Sequence, residues 1–229
     1  NMPSGEPGGP DSEVFYEFTQ VKHDPKFGEK CHPNCDCGRF MEIGNSVFMQ
    51  YKKTKDGTFL ELPKKNVDFG GGLERILAAL NNNPDVFQTN IYFPIIASVE
   101  KLSGKKYENE NKKYLRIIAD HIKAASFLII NGTLPSNKEQ GYVLRRLLRR
   151  AAVKMYQLDG RLTPEKLAYV AEKGVFETYS ETDFFNHENK IDVISTIEEE
   201  MNRFQKSLDR GLKEINKQKV IDGKFAFFL

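Results

Sequence analysis

The sequence has no excess of charge of one sign: 34 Lys and Arg stand against 32 Asp and Glu, a net charge of +2 over 229 residues. Overall charge therefore gives no argument for a nucleic-acid partner, and any basic surface must be local. Tryptophan is absent, so a core must draw on other side chains. Hydrophobic residues make up 39% of the chain, with 17 Phe among them, enough for one large domain or two modest ones. Long apolar runs are also missing. Stretches such as Phe127 to Ile130 fall far short of a bilayer span, and no segment reads as a signal peptide, so a cytoplasmic protein without a membrane partner is expected. Cysteine is scarce and clustered. Cys31, Cys35 and Cys37 lie within seven residues, an odd-numbered group that makes no disulfide framework and fits a reducing compartment. The Gly/Pro-rich Asn1 to Pro10 has no preceding element to connect, and Phe225 to Leu229 stops within an apolar run; together they read as an excised piece.

What is present divides into two patterns. Glu13 to Thr19, Arg39 to Lys53 and Thr58 to Leu62 are rich in Val, Ile, Phe and Tyr, with a hairpin turn at Lys55-Asp56-Gly57, and predict an antiparallel sheet. A polar loop, Lys22 to Gly38, holds the cysteines. Asn66 to Phe69 forms a short strand leading into Gly70-Gly71-Gly72, after which Leu73, Ile76, Leu77 and Leu80 recur at helical spacing. Asn81 to Pro84 breaks that helix, which places a domain boundary near Asn82 and gives domains 1–82 and 83–229. Beyond it the period is helical. Leu115, Ile118, Ala119, Ile122, Ala125 and Ile129 trace one face, and Leu144, Leu147, Leu148, Ala151 and Met155 another. Thr163-Pro164 starts a third helix. A long one runs from about Glu188 to Lys217, with an apolar seam through Ile191, Ile194, Ile197, Met201, Phe204, Leu208, Leu212 and Ile215 and a solvent-facing Glu198-Glu199-Glu200 cluster. The fold class is α+β, a sheet followed by an all-helical domain.

Three glycines between strand and helix let the backbone approach a ligand closely, and the helix behind them offers free N–H groups to a phosphate, with Arg75 able to add a guanidinium fork. A tight turn with Arg75 paired to a surface carboxylate reads equally well. The spacing is neither that of a P-loop nor G-x-G-x-x-G. Arg145, Arg146, Arg149 and Arg150 concentrate four charges along one helix flank, suited to phosphate or to internal pairing with carboxylates such as Glu139. Asp120 and His121 are given a structural hydrogen-bonding role. Cys31-x3-Cys35-x-Cys37, with His32 adjacent, departs from the usual zinc spacings and lacks a clean fourth ligand; it reads as a loop of free thiols, and no metal is assigned.

Five segments, taken in order, carry a resemblance. They are Gly8-Gly9-Pro10-Asp11-Ser12-Glu13-Val14; Met41-Glu42-Ile43-Gly44-Asn45-Ser46-Val47-Phe48-Met49-Gln50; Val67-Asp68-Phe69-Gly70-Gly71-Gly72-Leu73-Glu74-Arg75; Arg116 to His121; and Pro135-Ser136-Asn137 with Gly141 to Arg150. Together they resemble the alanyl-tRNA synthetases, class II enzymes, from the motif 3 half of the catalytic domain into the helical tRNA-recognition region. Leu162 to Lys217 matches only in its helical character.

The resemblance implies a sheet from a class II aminoacylation domain and an activity that joins alanine to tRNA-Ala using ATP and Mg2+. By it, Asp68 binds the amino group of L-alanine, Asn45 also contacts the amino acid, and Val47 and Gly70 help enclose it. Asn45, Ser46, Val47 and Gly72 line the ATP site, and Arg75 is the catalytic arginine on the phosphates, with Glu13 a weaker candidate. Asn137 corresponds to the residue that reads a G:U pair in the acceptor stem, and Arg145, Arg146, Arg149 and Arg150 lie in the tRNA-binding helix. The family usually has Trp at 44, Thr at 69 and Met or similar at 71, where this chain has Gly44, Phe69 and Gly71. Motif 1 and most of motif 2 have no counterpart here, so the chain alone is expected to be catalytically incomplete; the editing domain's histidine motif is also absent. A non-catalytic RNA-binding or regulatory relative on the same scaffold is the alternative.

Overall fold

A computed structural model describes residues 3–161, 163–217 and 223. The apolar run Phe225 to Leu229 lies outside the described residues. The chain divides into two compact units at Thr89/Asn90.

The first unit is built on a four-stranded antiparallel sheet: β1 (Pro7–Gly8), β2 (Asp11–Glu17), β3 (Phe40–Lys53) and β4 (Phe59–Gly71). β3 is the central strand. β1 and β2 follow one another along one of its edges, pairing Gly8 with Tyr51 and Glu13 with Asn45, while β4 occupies the other, pairing Asn45 with Gly70 and Lys52 with Leu60. The Lys55-Asp56-Gly57 turn is held by Asp56, whose carboxylate accepts from Thr58, and by Gly57 at φ +90°. Two strands predicted on either side of Pro63 form one strand, β4. Its register against β3 shifts between Met49 and Tyr51, so the proline, which cannot donate to a ladder, falls in an irregular stretch instead of ending the strand. α1 (Leu73–Leu80) follows from Gly72.

The second unit is helical: α2 (Phe93–Ser103), α3 (Asn111–Ile130), α4 (Glu139–Asp159), α5 (Pro164–Val170) running into a π-helical turn at Ala171–Phe176, and α6 (His187–Lys217). The predicted faces of α3 and α4 are its core. Leu115, Ile118, Ala119, Ile122 and Ala125 of α3 and Leu144, Leu148, Ala151 and Met155 of α4 are fully buried, with Ile95 and Val99 of α2 and Leu167 of α5. The π turn lets Gly174 lie flush on α2: a Cβ there would stand 2.8 Å from the Ile95 Cα. Phe127, Phe176, Tyr179 and Phe185 form a cluster of rings with centroids 4.9 to 5.3 Å apart.

The seam of α6 differs from the expected one. Val193, Ile197 and Met201 are fully buried while Ile191 is 54% exposed, and Glu200, predicted to face solvent, is only 3% exposed. The physical reason is a partner, Arg149, whose Nε donates to Glu200 Oε1 at 2.7 Å. Among the described residues no helix is long and apolar enough to cross a membrane.

Candidate functional site

Side chains alternate across a strand, and directly paired residues of neighbouring strands share a face. Because Asn45 pairs with Glu13 and Gly70, and Val47 with Asp11 and Asp68, these six positions lie on one face of the sheet. Asn45 Nδ2 donates to Asp11 Oδ2 at 3.4 Å, a diagonal contact across that face. Ser46 belongs to the opposite face, so it is not brought together with Asn45 and Val47. Asp68 and Gly70 lie on the exposed margin formed by β4.

Gly72 links this margin to α1. Its N–H donates to the Ile43 carbonyl at 3.2 Å, and as the N-cap it brings no side-chain oxygen to the first turn of α1. Arg75 is half-exposed, and its Nη1 donates to the Glu42 backbone oxygen at 3.1 Å and to Glu42 Oε2 at 3.4 Å. The guanidinium is thus moored to β3 beside the glycine turn.

The three departures Gly44, Phe69 and Gly71 share a single physical basis. A Cβ on Gly44 would stand 3.1 Å from the Phe69 ring, and one on Gly71 would stand 3.2 Å from the same ring. The Phe69 side chain thus fills the space over both glycines, on the face away from Asn45, Val47, Asp68 and Gly70.

In the second unit, Asn137 ends the loop before α4, and its Oδ1 accepts from Arg145 Nη1. Arg145 and Arg146 each carry their guanidinium 5.7 Å from the Tyr142 ring centroid. Arg149 is the inward member of the row, paired to Glu200 and 5.2 Å from the Phe204 ring centroid. Arg146, Arg149 and Arg150 line a cavity of about 340 Å3 with Val143, Leu147 and His121. Sequence reasoning gave His121 no place there. Its Nδ1–H donates to Asp120 Oδ2 at 2.9 Å, and that bond holds the Asp120 carboxyl below its usual range. The buried Nε2 has no hydrogen-bond partner among the described residues.

The cysteine loop brings together more than the spacing indicated. His23, outside the predicted cluster, places its ring against the thiols: Nδ1 is 3.6 Å from Cys35 Sγ, and Cys31 Sγ is 3.6 Å from Cys37 Sγ. The adjacent His32 is not a member; the four donor atoms of His23, Cys31, Cys35 and Cys37 all lie within 4.8 Å of one another. The His23 ring beside it lowers the Cys37 thiol to about 6, and burial pushes Cys31 up to about 11. The signal for His23 was a short turn, Pro25–Phe27 capped by Asp24, which folds the start of the loop back over its end.

The family model described as tRNA synthetases class II (A) matches residues 1–228. An alanine–tRNA ligase of Listeria innocua is 38% identical over 229 residues, covering 93% of this chain and 25% of that protein. That of Desulfosudis oleivorans is 40% identical, over 96% of this chain and 24% of its own length. The Treponema denticola ligase is 43% identical, over 77% of this chain and 30% of its own. The chain thus spans about a quarter of the length of the curated relatives it matches.

Proposed function

The chain belongs to the class II (A) tRNA synthetases, and from that premise we propose that it forms the part of an alanine–tRNA ligase that receives alanine and the phosphates of ATP, continuing into a surface for the tRNA-Ala acceptor stem. The observation that carries this reading is the sheet register, which sets Asn45, Val47, Asp68 and Gly70 on one face beside the glycine-capped α1. Asp68 offers a carboxylate to the alanine ammonium, Asn45 an amide to its polar end, and Val47 with Gly70 a small apolar wall. The alanine carboxylate then attacks the α-phosphorus of ATP, so no protein nucleophile is needed. Catalysis consists of positioning and charge stabilisation. Gly72 lets the backbone meet the nucleotide, and Arg75, exchanging its Glu42 contact for phosphate oxygens, stabilises the departing pyrophosphate.

Mg2+, where bound, would supply charge neutralisation to the phosphates. The only group of three or more potential ligands among the described residues is the His23 cluster, which suits Mg2+ poorly because its donors are sulfur and nitrogen; Mg2+ would enter with the nucleotide. In the helical unit Asn137 would read the G:U pair, its amide both donating and accepting, with Arg145, Arg146 and Arg150 toward the backbone. Such a reaction belongs to translation in the cytoplasm.

The isolated chain is incomplete as a catalyst in this reading. In support, Phe59, Leu60, Val67 and Phe69 of β4 are 58 to 64% exposed, a sheet margin suited to cover from further parts of a catalytic domain. Alanine-dependent pyrophosphate exchange tests both claims. The 229-residue chain is expected to give none, and Asp68→Asn in a complete enzyme containing this region should lower exchange about tenfold to a hundredfold. Exchange by the isolated chain would remove the incompleteness, and an unchanged Asp68→Asn rate would remove the alanine site.

A further inference from the structure

We propose that His23, Cys31, Cys35 and Cys37 bind a single Zn2+ ion as a closed structural site that fixes the loop between β2 and β3. Zinc bound by thiolates at about 2.3 Å and imidazole at about 2.0 Å places tetrahedral ligand atoms about 3.8 Å apart for two sulfurs and about 3.5 Å apart for sulfur and nitrogen. The observed Cys31–Cys37 and Cys35–His23 separations are both 3.6 Å. No pair of the four donor atoms is more than 4.8 Å apart, so closing the set on one ion takes side-chain movements of about 1 Å. Such a space holds one ion, and soft thiolates with an imidazole select zinc over hard oxygen-seeking cations.

The surroundings of the donors match what a metal requires. His23 Nε2 lies 2.8 Å from the Gly28 carbonyl oxygen. A carbonyl can only accept, so Nε2 carries the proton and Nδ1 turns its lone pair to the thiols, the tautomer a ligand needs. Gly38 takes φ +81°, a tight turn that brings the chain from Cys37 directly into β3 at Phe40. Cys35 is buried at 6% exposure, whereas almost every other residue from Lys22 to Gly38 is exposed or only partly covered. A loop without an apolar core needs another source of order, and four protein ligands supply it without leaving a position open for chemistry. At its base Phe18 N–H donates to the Arg39 carbonyl at 2.8 Å and Arg39 pairs with Glu17 at 2.7 Å, so the ion would lock the entry to β3, the strand bearing Asn45.

Elemental analysis of the purified 229-residue chain, after gel filtration without added metal, is expected to find one zinc per chain, with Cys35→Ser reducing it about tenfold or more. Zinc absent from the folded chain and not retained after one equivalent is added would overturn the proposal. So would content unchanged in Cys35→Ser, or a Cys31–Cys37 disulfide in its place. Should Cys35→Ser not fold, Co2+ substitution of the wild-type chain decides. Intense visible bands with thiolate-to-cobalt charge transfer, strengthened by one thiolate in His23→Cys, support the site. Weak octahedral bands, or charge transfer indifferent to His23→Cys, refute it.

Discussion

Arg149 and Glu200 show how one side chain can change the meaning of a motif. Four arginines along α4 read as a phosphate-seeking row, yet the Arg149 guanidinium spans to a carboxylate that is 3% exposed. Removing Arg149 leaves that carboxylate buried and unpaired, so Arg149→Ala should cost about 2 to 3 kcal/mol in urea unfolding, with much of the loss recovered in Arg149→Ala/Glu200→Gln. Equal loss in the single and double variants would show that the pair is not the source. The pairing was not legible beforehand. Glu198, Glu199 and Glu200 are consecutive, and helical period alone does not say which of three like residues turns inward when its partner lies 51 positions away. Phe69 is the converse case: a residue that looked like a flaw in a motif fills, by its ring, the volume that two glycines vacate.

At the scale of elements, the apolar periods of α3 and α4 were fully readable, because buried helices repeat their core contacts every turn. The boundaries of β4 were not, since a proline usually ends a strand and here sits in a register shift. The loop carrying Asn137 owes its position to α4 itself. Gly141, buried in the first turn, lies so close to Ser136 Oγ and the Leu134 carbonyl that any Cβ would collide with both. Gly141→Ala must therefore displace the loop or the helix end, at a cost of about 1 to 3 kcal/mol. Titration of an acceptor-stem hairpin at fixed salt, with and without its G:U pair, should show the preference for G:U reduced in Gly141→Ala and abolished in Asn137→Ala. Equal affinity for both hairpins in the wild-type chain would end the sequence-reading role.

Across the whole molecule, the α+β organisation and the family could be read from five ordered segments, because they combine backbone-determining glycines with charged residues in fixed register. The four-donor cluster could not. Its histidine stands eight positions before the first cysteine, and only the capped turn at Pro25–Phe27 brings it back. Polar sites assembled by loops leave no period to read. The free margin of β4 governs a different property, how the chain behaves when crowded with copies of itself. Its open backbone and exposed Phe59, Leu60, Val67 and Phe69 form a template for edge-to-edge pairing, interrupted at Pro63 and by the charges of Lys64 and Lys65. Light scattering against concentration should therefore rise more steeply for Lys64→Val/Lys65→Val than for wild type, and identical curves would show the lysines to be bystanders. Solubility in this chain would then rest on two adjacent charges at the midpoint of one strand.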